Sequence, residues 1–131
     1  MSLEMIGLKT GEGKSTLAIK NACESALKGM STLLISTEMT YPSIKRRCLE
    51  LLNGEDITKI PLYFTTNMDD TTYDFIADNI AENNIKYVVV DHIPASKNNQ
   101  ENYDNYIKML SQLIEDYGVD VLAFYQMAIG E

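Results

Sequence analysis

Leu3-Glu4-Met5-Ile6-Gly7-Leu8, with Gly11-Glu12-Gly13-Lys14-Ser15-Thr16 close behind it, decides how the rest of this chain is read. An apolar run that ends in a Gly-rich turn and passes into a helix opening with Lys-Ser has the makings of a phosphate cradle. Backbone N–H groups of the turn and of the helix N-terminus point at anionic oxygens, and the helix dipole favours negative charge there. In such a cradle Lys14 reaches the β- and γ-phosphates and the Ser15 hydroxyl is a ligand to Mg²⁺. Glycine is required because a Cβ would block the turn and the close approach of backbone to phosphate. The pattern G-x-x-x-x-G-K-[ST] asks for its first glycine where this chain has Leu8, and Gly7 sits one place early. The competing reading is a Gly-rich turn before an ordinary helix. The strand before it and the helix after it favour a nucleotide site.

Outward from that stretch, apolar runs and helical periodicity alternate to the end. Strands are expected at Leu3–Leu8, Thr32–Thr37, Leu62–Thr66, Lys86–Asp91 and Val119–Tyr125. The fourth, KYVVVD, is almost continuously apolar, as a strand buried on both faces should be. Helices are expected over Lys14–Lys28, stopped by Gly29, and from Pro42 to Asn53-Gly54. Two more run over Thr71–Asn84 and Asn102–Tyr117. The inward residues expected of the first helix are Leu17, Ala18, Ala22, Ala26 and Leu27. Those of the second are Ile44, Cys48, Leu51 and Leu52, and of the third Tyr73, Ile76, Ala77, Ile80 and Ala81. The fourth turns Ile107, Leu110, Leu113, Ile114 and Tyr117 inward. Strands alternating with helices give an α/β domain with a parallel sheet covered on both faces.

Composition bounds the reading. At 131 residues the chain forms one domain, 1–131, with a single core. A hydrophobic share of 45% beside 23% charged residues is that of a globular chain. No apolar run approaches the ~20 residues of a membrane span, and no signal peptide is visible. Cys23 and Cys48 fall in helices without a metal or disulfide spacing, so reduced thiols and a cytoplasmic setting are expected. The net charge of −8 argues against a broad nucleic-acid footprint, though not against a few contacts from one loop. Because the chain stops soon after a strand, it is expected to be part of a longer protein.

Ligands of such sheets bind at the carboxyl ends of the strands. There this chain offers the phosphate loop, Glu38 after the second strand, Asp91-His92 after the fourth and Gln126 after the fifth. Asp91 is suited to the Mg²⁺ shell, Glu38 to polarising an attacking water, and Gln126 to contacting that water or the γ-phosphate. Glu38 or Gln126 alone could as well cap a helix; together with the loop they make the parts of an NTP-hydrolysing site.

On these residues the chain resembles the RecA-type ATPase motor domain of DnaB-like hexameric replicative helicases and the related phage primase-helicases. The segments that carry the resemblance are Ile6–Ser15 (IGLKTGEGKS), Leu33–Met39 (LLISTEM), Ile85–Ile93 (IKYVVVDHI) and Val119–Met127 (VDVLAFYQM). It implies a P-loop NTPase with a three-layer α/β/α fold and a mainly parallel sheet of order 3-2-4-5-1. It also implies ATP or another NTP with Mg²⁺ over Thr10, Gly11, Glu12, Gly13, Lys14, Ser15 and Thr16, with Thr16 near the α-phosphate. Metal ligation falls on Ser15 and Asp91, and catalysis on Glu38 and Lys14. Gln126 couples nucleotide state to single-stranded DNA in a homohexamer. The departures are Leu8 at the start of the loop, a short segment after Glu38, and no arginine finger or second DNA loop beyond Gln126.

Other features weigh less. His92 has no second histidine or cysteine nearby, which points to a polar contact rather than a metal. Lys45-Arg46-Arg47 reads first as a solvated helix face and second as a phosphate or partner contact. Ser96–Asn102 reads as a loop whose Lys97, Asn98 and Asn99 would face DNA if the resemblance holds, with an inert surface loop equally open. Eight tyrosines sit mostly at core spacing. Three rivals remain: another RecA-like ATPase of recombination, repair or clock type, a P-loop kinase, and a nucleotide-binding adaptor that scarcely hydrolyses.

Overall fold

The computed structural model describes residues 2–8, 14–36, 39–54, 56–66, 72–91 and 100–126, with residues 8, 14, 15, 100–103 and 126 in backbone alone. Five strands alternate with four helices: β1 (Leu3–Leu8), α1 (Lys14–Leu27), β2 (Thr32–Ile35), α2 (Tyr41–Leu52), β3 (Leu62–Thr65), α3 (Tyr73–Asn83), β4 (Tyr87–Val90), α4 (Gln100–Tyr117) and β5 (Asp120–Gln126). They form one sheet of order β1-β5-β4-β2-β3 in which every neighbouring pair is parallel. This is the expected 3-2-4-5-1 order read from the other edge.

Strand alternation distributes the apolar side chains between two cores. Leu33, Ile35, Val88, Val90, Val121 and Ala123 face one way, against Ile76 and Ile80 of α3 and Leu110 and Leu113 of α4. Leu34, Val89, Leu122 and Phe124 face the other way, against Ala18, Ile19 and Ala22 of α1 and Ile44, Cys48 and Leu52 of α2. Both faces of the central strands are dry, which explains the unbroken apolar run YVVV.

The helix ends follow from local chemistry. Thr40 and Thr72 cap α2 and α3, accepting from the backbone N–H groups of Ser43 and Phe75. Asn53 and Asn84 close the same helices in the left-handed region at φ 50° and 52°. At the end of α1, Gly29 takes φ 87° while Met30 N–H returns to Ser25 C=O, the stop expected there. A 3₁₀ turn at Ile57–Lys59 was not anticipated; Asp56 nucleates it by accepting from Thr58 through both its N–H and its hydroxyl. Helix α4 starts at Gln100, two residues before the expected Asn102, so the end of the SKNNQEN segment is helical.

Several inward assignments are corrected. Leu17 and Leu27 of α1 are exposed, and Ile19 and Cys23 join Ala18, Ala22 and Ala26 in the core. The buried stripe of α1 follows its small residues, which let the helix lie close to the sheet. Leu51 of α2 and Tyr117 of α4 also face outward, Ala81 of α3 is exposed, and Tyr106 takes a core place on α4. Among the described tyrosines Tyr106 alone is buried, so most do not sit in the core.

Candidate functional site

The parallel sheet gathers the candidate residues at its carboxyl edge. β1 ends at Leu8, paired with Gln126 at the end of β5, and Ile35 of β2 is paired with Val90 of β4. One residue past the ends of β2 and β4 stand Ser36 and Asp91. Both are buried, Asp91 to 1% exposure. The chain is held in register beyond the strands, because Asp91 N–H donates to Ile35 C=O at 2.8 Å and Ser36 N–H to Thr65 C=O at 3.0 Å.

A buried carboxylate is costly unless hydrogen bonds compensate its lost hydration. The Ser36 hydroxyl donates to Asp91 Oδ2 at 2.7 Å, the short distance of a charge-assisted bond. This bond joins the end of β2 to the end of β4 and orients the carboxylate. Sequence reasoning assigned Ser36 no role. The only signal was a small hydroxyl residue closing the apolar run TLLI, and its partner lies 55 residues away.

α1 opens with Lys14 and Ser15, the order of strand, loop and helix that the cradle requires. Their side chains, and all of Thr10, Gly11, Glu12 and Gly13, lie outside the described residues. So do Glu38, His92 and the loop residues Lys97, Asn98 and Asn99, and the side chain of Gln126. The structure brings together the backbones of Lys14, Ser15 and Gln126 with Asp91 at one edge. Glu38 follows Ser36 by two residues in the sequence.

Thr16 is exposed in the first turn of α1, and Arg47 Nη1 donates to its hydroxyl at 3.3 Å. Lys45 and Arg46 are exposed, as a solvated face predicts, but Arg47 turns across to the helix that follows the phosphate loop. Gly7 has its own explanation. It lies opposite Tyr125 in the register, and a Cβ built on it would meet Tyr125 Cζ and Oη at 2.5 Å. Its glycine serves the packing of that ring on β1, which accounts for a glycine one place before the loop pattern.

Away from this edge, the Tyr73 hydroxyl donates to Asp116, which also accepts from Gln112. Asp116 pushes the Tyr73 phenol up to about 12, and the same bond, with that of Gln112, holds Asp116 below the usual carboxylate range. Cys23 and Cys48 are buried free thiols that meet across α1 and α2, and the hydrogen bond to Cys48, with burial, pushes the Cys23 thiol up.

No protein-family model matches this chain, and no curated protein does. Solved structures do. The ATPase domain of a DnaB-like helicase superposes with a TM-score of 0.75 at 13% identity, over 97% of this chain and 57% of that one. A KaiC-like protein, PH0186 from the hyperthermophilic archaeon Pyrococcus horikoshii OT3, superposes with a TM-score of 0.69 at 21% identity, over 96% of this chain and 61% of that one. The chain thus spans about three-fifths of the length of either neighbour. At such identities the likeness is one of fold, and the fold is that of the RecA-like P-loop ATPase domains.

Proposed function

We propose that this chain is the ATP-binding and hydrolysing motor domain of a DnaB-like replicative helicase, bacterial or phage, working as one subunit of a cytoplasmic hexameric ring on single-stranded DNA. Residues 1–131 form a single RecA-like unit within that longer protein. The observation that carries the reading is Asp91, a buried and oriented carboxylate one residue past β4, at the edge where α1 opens with Lys14-Ser15.

Thr10 to Thr16 cradle the phosphates, and Lys14 brings its charge to the β- and γ-phosphates. The oxygens offered nearby, the Asp91 carboxylate and the Ser15 hydroxyl, suit Mg²⁺, a hard cation that retains much of its water. When bound, Mg²⁺ neutralises charge developing on the transferring phosphoryl group. Ser36 keeps the Asp91 carboxylate aimed, so that little reorganisation is needed as that charge develops. Glu38 accepts a hydrogen bond from the attacking water and aligns it with the γ-phosphate. Gln126, paired with Leu8 at the root of the loop, passes the presence of the γ-phosphate into β5 and from there to the DNA-facing segments.

Calorimetric titration with ATP and Mg²⁺ tests the reading. The chain should bind, Lys14→Ala should abolish binding, and Glu38→Gln should retain binding while losing turnover. Turnover by the isolated chain should be low, because an arginine finger from a neighbouring subunit is worth about 10³–10⁵ in rate. Unchanged binding in Lys14→Ala, or unchanged turnover in Glu38→Gln, refutes it. A second reading, a RecA-like ATPase of clock type, is favoured by the likeness to the KaiC-like protein at the higher identity of 21%. Stimulation of hydrolysis by single-stranded DNA in the assembled ring separates the two.

A further inference from the structure

A cleft of about 340 Å³ opens between α1 and α2, lined by Thr16, Ile19, Arg47, Glu50 and Leu51. Thr16 and Ile19 are one turn apart on α1, and Arg47, Glu50 and Leu51 share one face of α2 at spacings of three and four. The two faces meet through the Arg47–Thr16 bond of 3.3 Å. The cleft begins at Thr16, which at 1.5 Å rise per residue is only about 3 Å along the helix from Lys14. In the loop reading Thr16 stands beside the α-phosphate, the phosphate that carries the nucleoside.

The chemistry of the cleft differs from that of the cradle. Ile19, 1% exposed, forms an apolar floor, and Leu51 stands 39% exposed although its helix has a core face available. Beside these lies one planar guanidinium and one carboxylate. A guanidinium is weakly hydrated and stacks on aromatic faces, and it does so best over an apolar support. The volume is at the lower end of the range of small-molecule sites, about 300–1,000 Å³.

We propose that this cleft receives the nucleoside end of the bound nucleotide, with Arg47 lying against the face of the base, Leu51 and Ile19 supporting it, and Glu50 accepting from a ribose hydroxyl. The inference rests on the nucleotide reading of the Gly11–Thr16 loop. It makes Arg47 a determinant of affinity for the nucleoside, separate from the lysine that holds the phosphates.

Comparing MgATP with magnesium tripolyphosphate as ligands isolates this role, since only the first carries a nucleoside. Binding of each is measured calorimetrically to the 131-residue chain and to Arg47→Ala, Arg47→Lys and Lys14→Ala, with circular dichroism as the check on folding. Arg47→Ala should weaken MgATP about tenfold and leave tripolyphosphate within about twofold, the size of a partly desolvated cation–π contact. Arg47→Lys, which keeps the charge and loses the plane, should recover the affinity only in part. Lys14→Ala should weaken both ligands. Equal loss of both in Arg47→Ala would make Arg47 a phosphate ligand and overturn the inference. So would no loss of either, while Lys14-dependent binding of tripolyphosphate left the phosphate site standing. If the unmodified chain binds neither ligand, the nucleotide reading falls and the inference with it.

Discussion

Ser36→Ala should destabilise this protein by about 1.5–3 kcal/mol, the usual worth of a hydrogen bond to a charged group. The reasoning starts from Asp91, which is 1% exposed and accepts from the Ser36 hydroxyl at 2.7 Å. Removing that donor takes away a bond that compensates the carboxylate for its lost hydration, and the alanine methyl is too small and too apolar to replace it. With an unfolding entropy of about 2.1 cal/mol/K per residue, 131 residues give about 0.28 kcal/mol/K, so the midpoint should fall by about 5–11 °C. Thermal unfolding followed by circular dichroism measures this directly. The sharper test is the double-mutant cycle with Asp91→Asn. In that background Ser36 faces a neutral amide, and its removal should cost only about 0.5–1.5 kcal/mol, as for an uncharged bond. If Ser36→Ala costs the same in both backgrounds to within about 0.5 kcal/mol, the two side chains are not coupled and the account of how Asp91 is held is wrong.

Three other outcomes are expected. Gly7→Ala should cost about 1–3 kcal/mol, because the new methyl would lie 2.5 Å from Tyr125 Cζ and the ring must leave its place on β1. Shortening the obstacle with Tyr125→Ala should relieve most of that cost in urea unfolding, and an undiminished penalty there would locate the problem in the strand instead. Tyr73 holds its proton more tightly when folded, up to about 12 against an ordinary 10.0, so its contact with Asp116 is complete below pH 10 and is lost as pH rises through about 12. Asp116 has the opposite sign: its contribution is present above its ordinary 3.8 and disappears as pH falls below it. Unfolding midpoints measured across both limbs should flatten in Tyr73→Phe, and identical profiles for the two proteins would count against the bond. Cys23 and Cys48 should resist alkylation in the folded chain and react together on unfolding, since both are buried between α1 and α2. Mass-resolved labelling reads this, and rapid modification of either thiol under native conditions would contradict the packing.

The kind and order of the elements were legible because the signals that carry them are local. YVVV reads as a doubly buried strand from its own residues, and Gly29 ends α1 through its own backbone freedom. Faces were less legible than elements. Leu17, Leu27, Leu51 and Tyr117 were assigned inward by their size, yet burial followed the small residues Ala18, Ala22 and Ala26 on α1 and selected Tyr106 on α4. A helix with apolar residues on more than half of its circumference does not say which part the sheet will cover.

The sequence alone determined an alternating α/β chain, a Lys-Ser phosphate loop at the first strand end and an acid, Asp91, at the fourth. All three depend on residues that act within a few positions of one another. Tertiary structure alone decided that Ser36 holds Asp91, that Arg47 crosses to Thr16, and that Gly7 yields its space to Tyr125. The first two partnerships span 55 and 31 residues, and the third joins strands at opposite ends of the chain. Contacts of that kind have no periodicity to announce them; they exist only once strand order and register have set the distances.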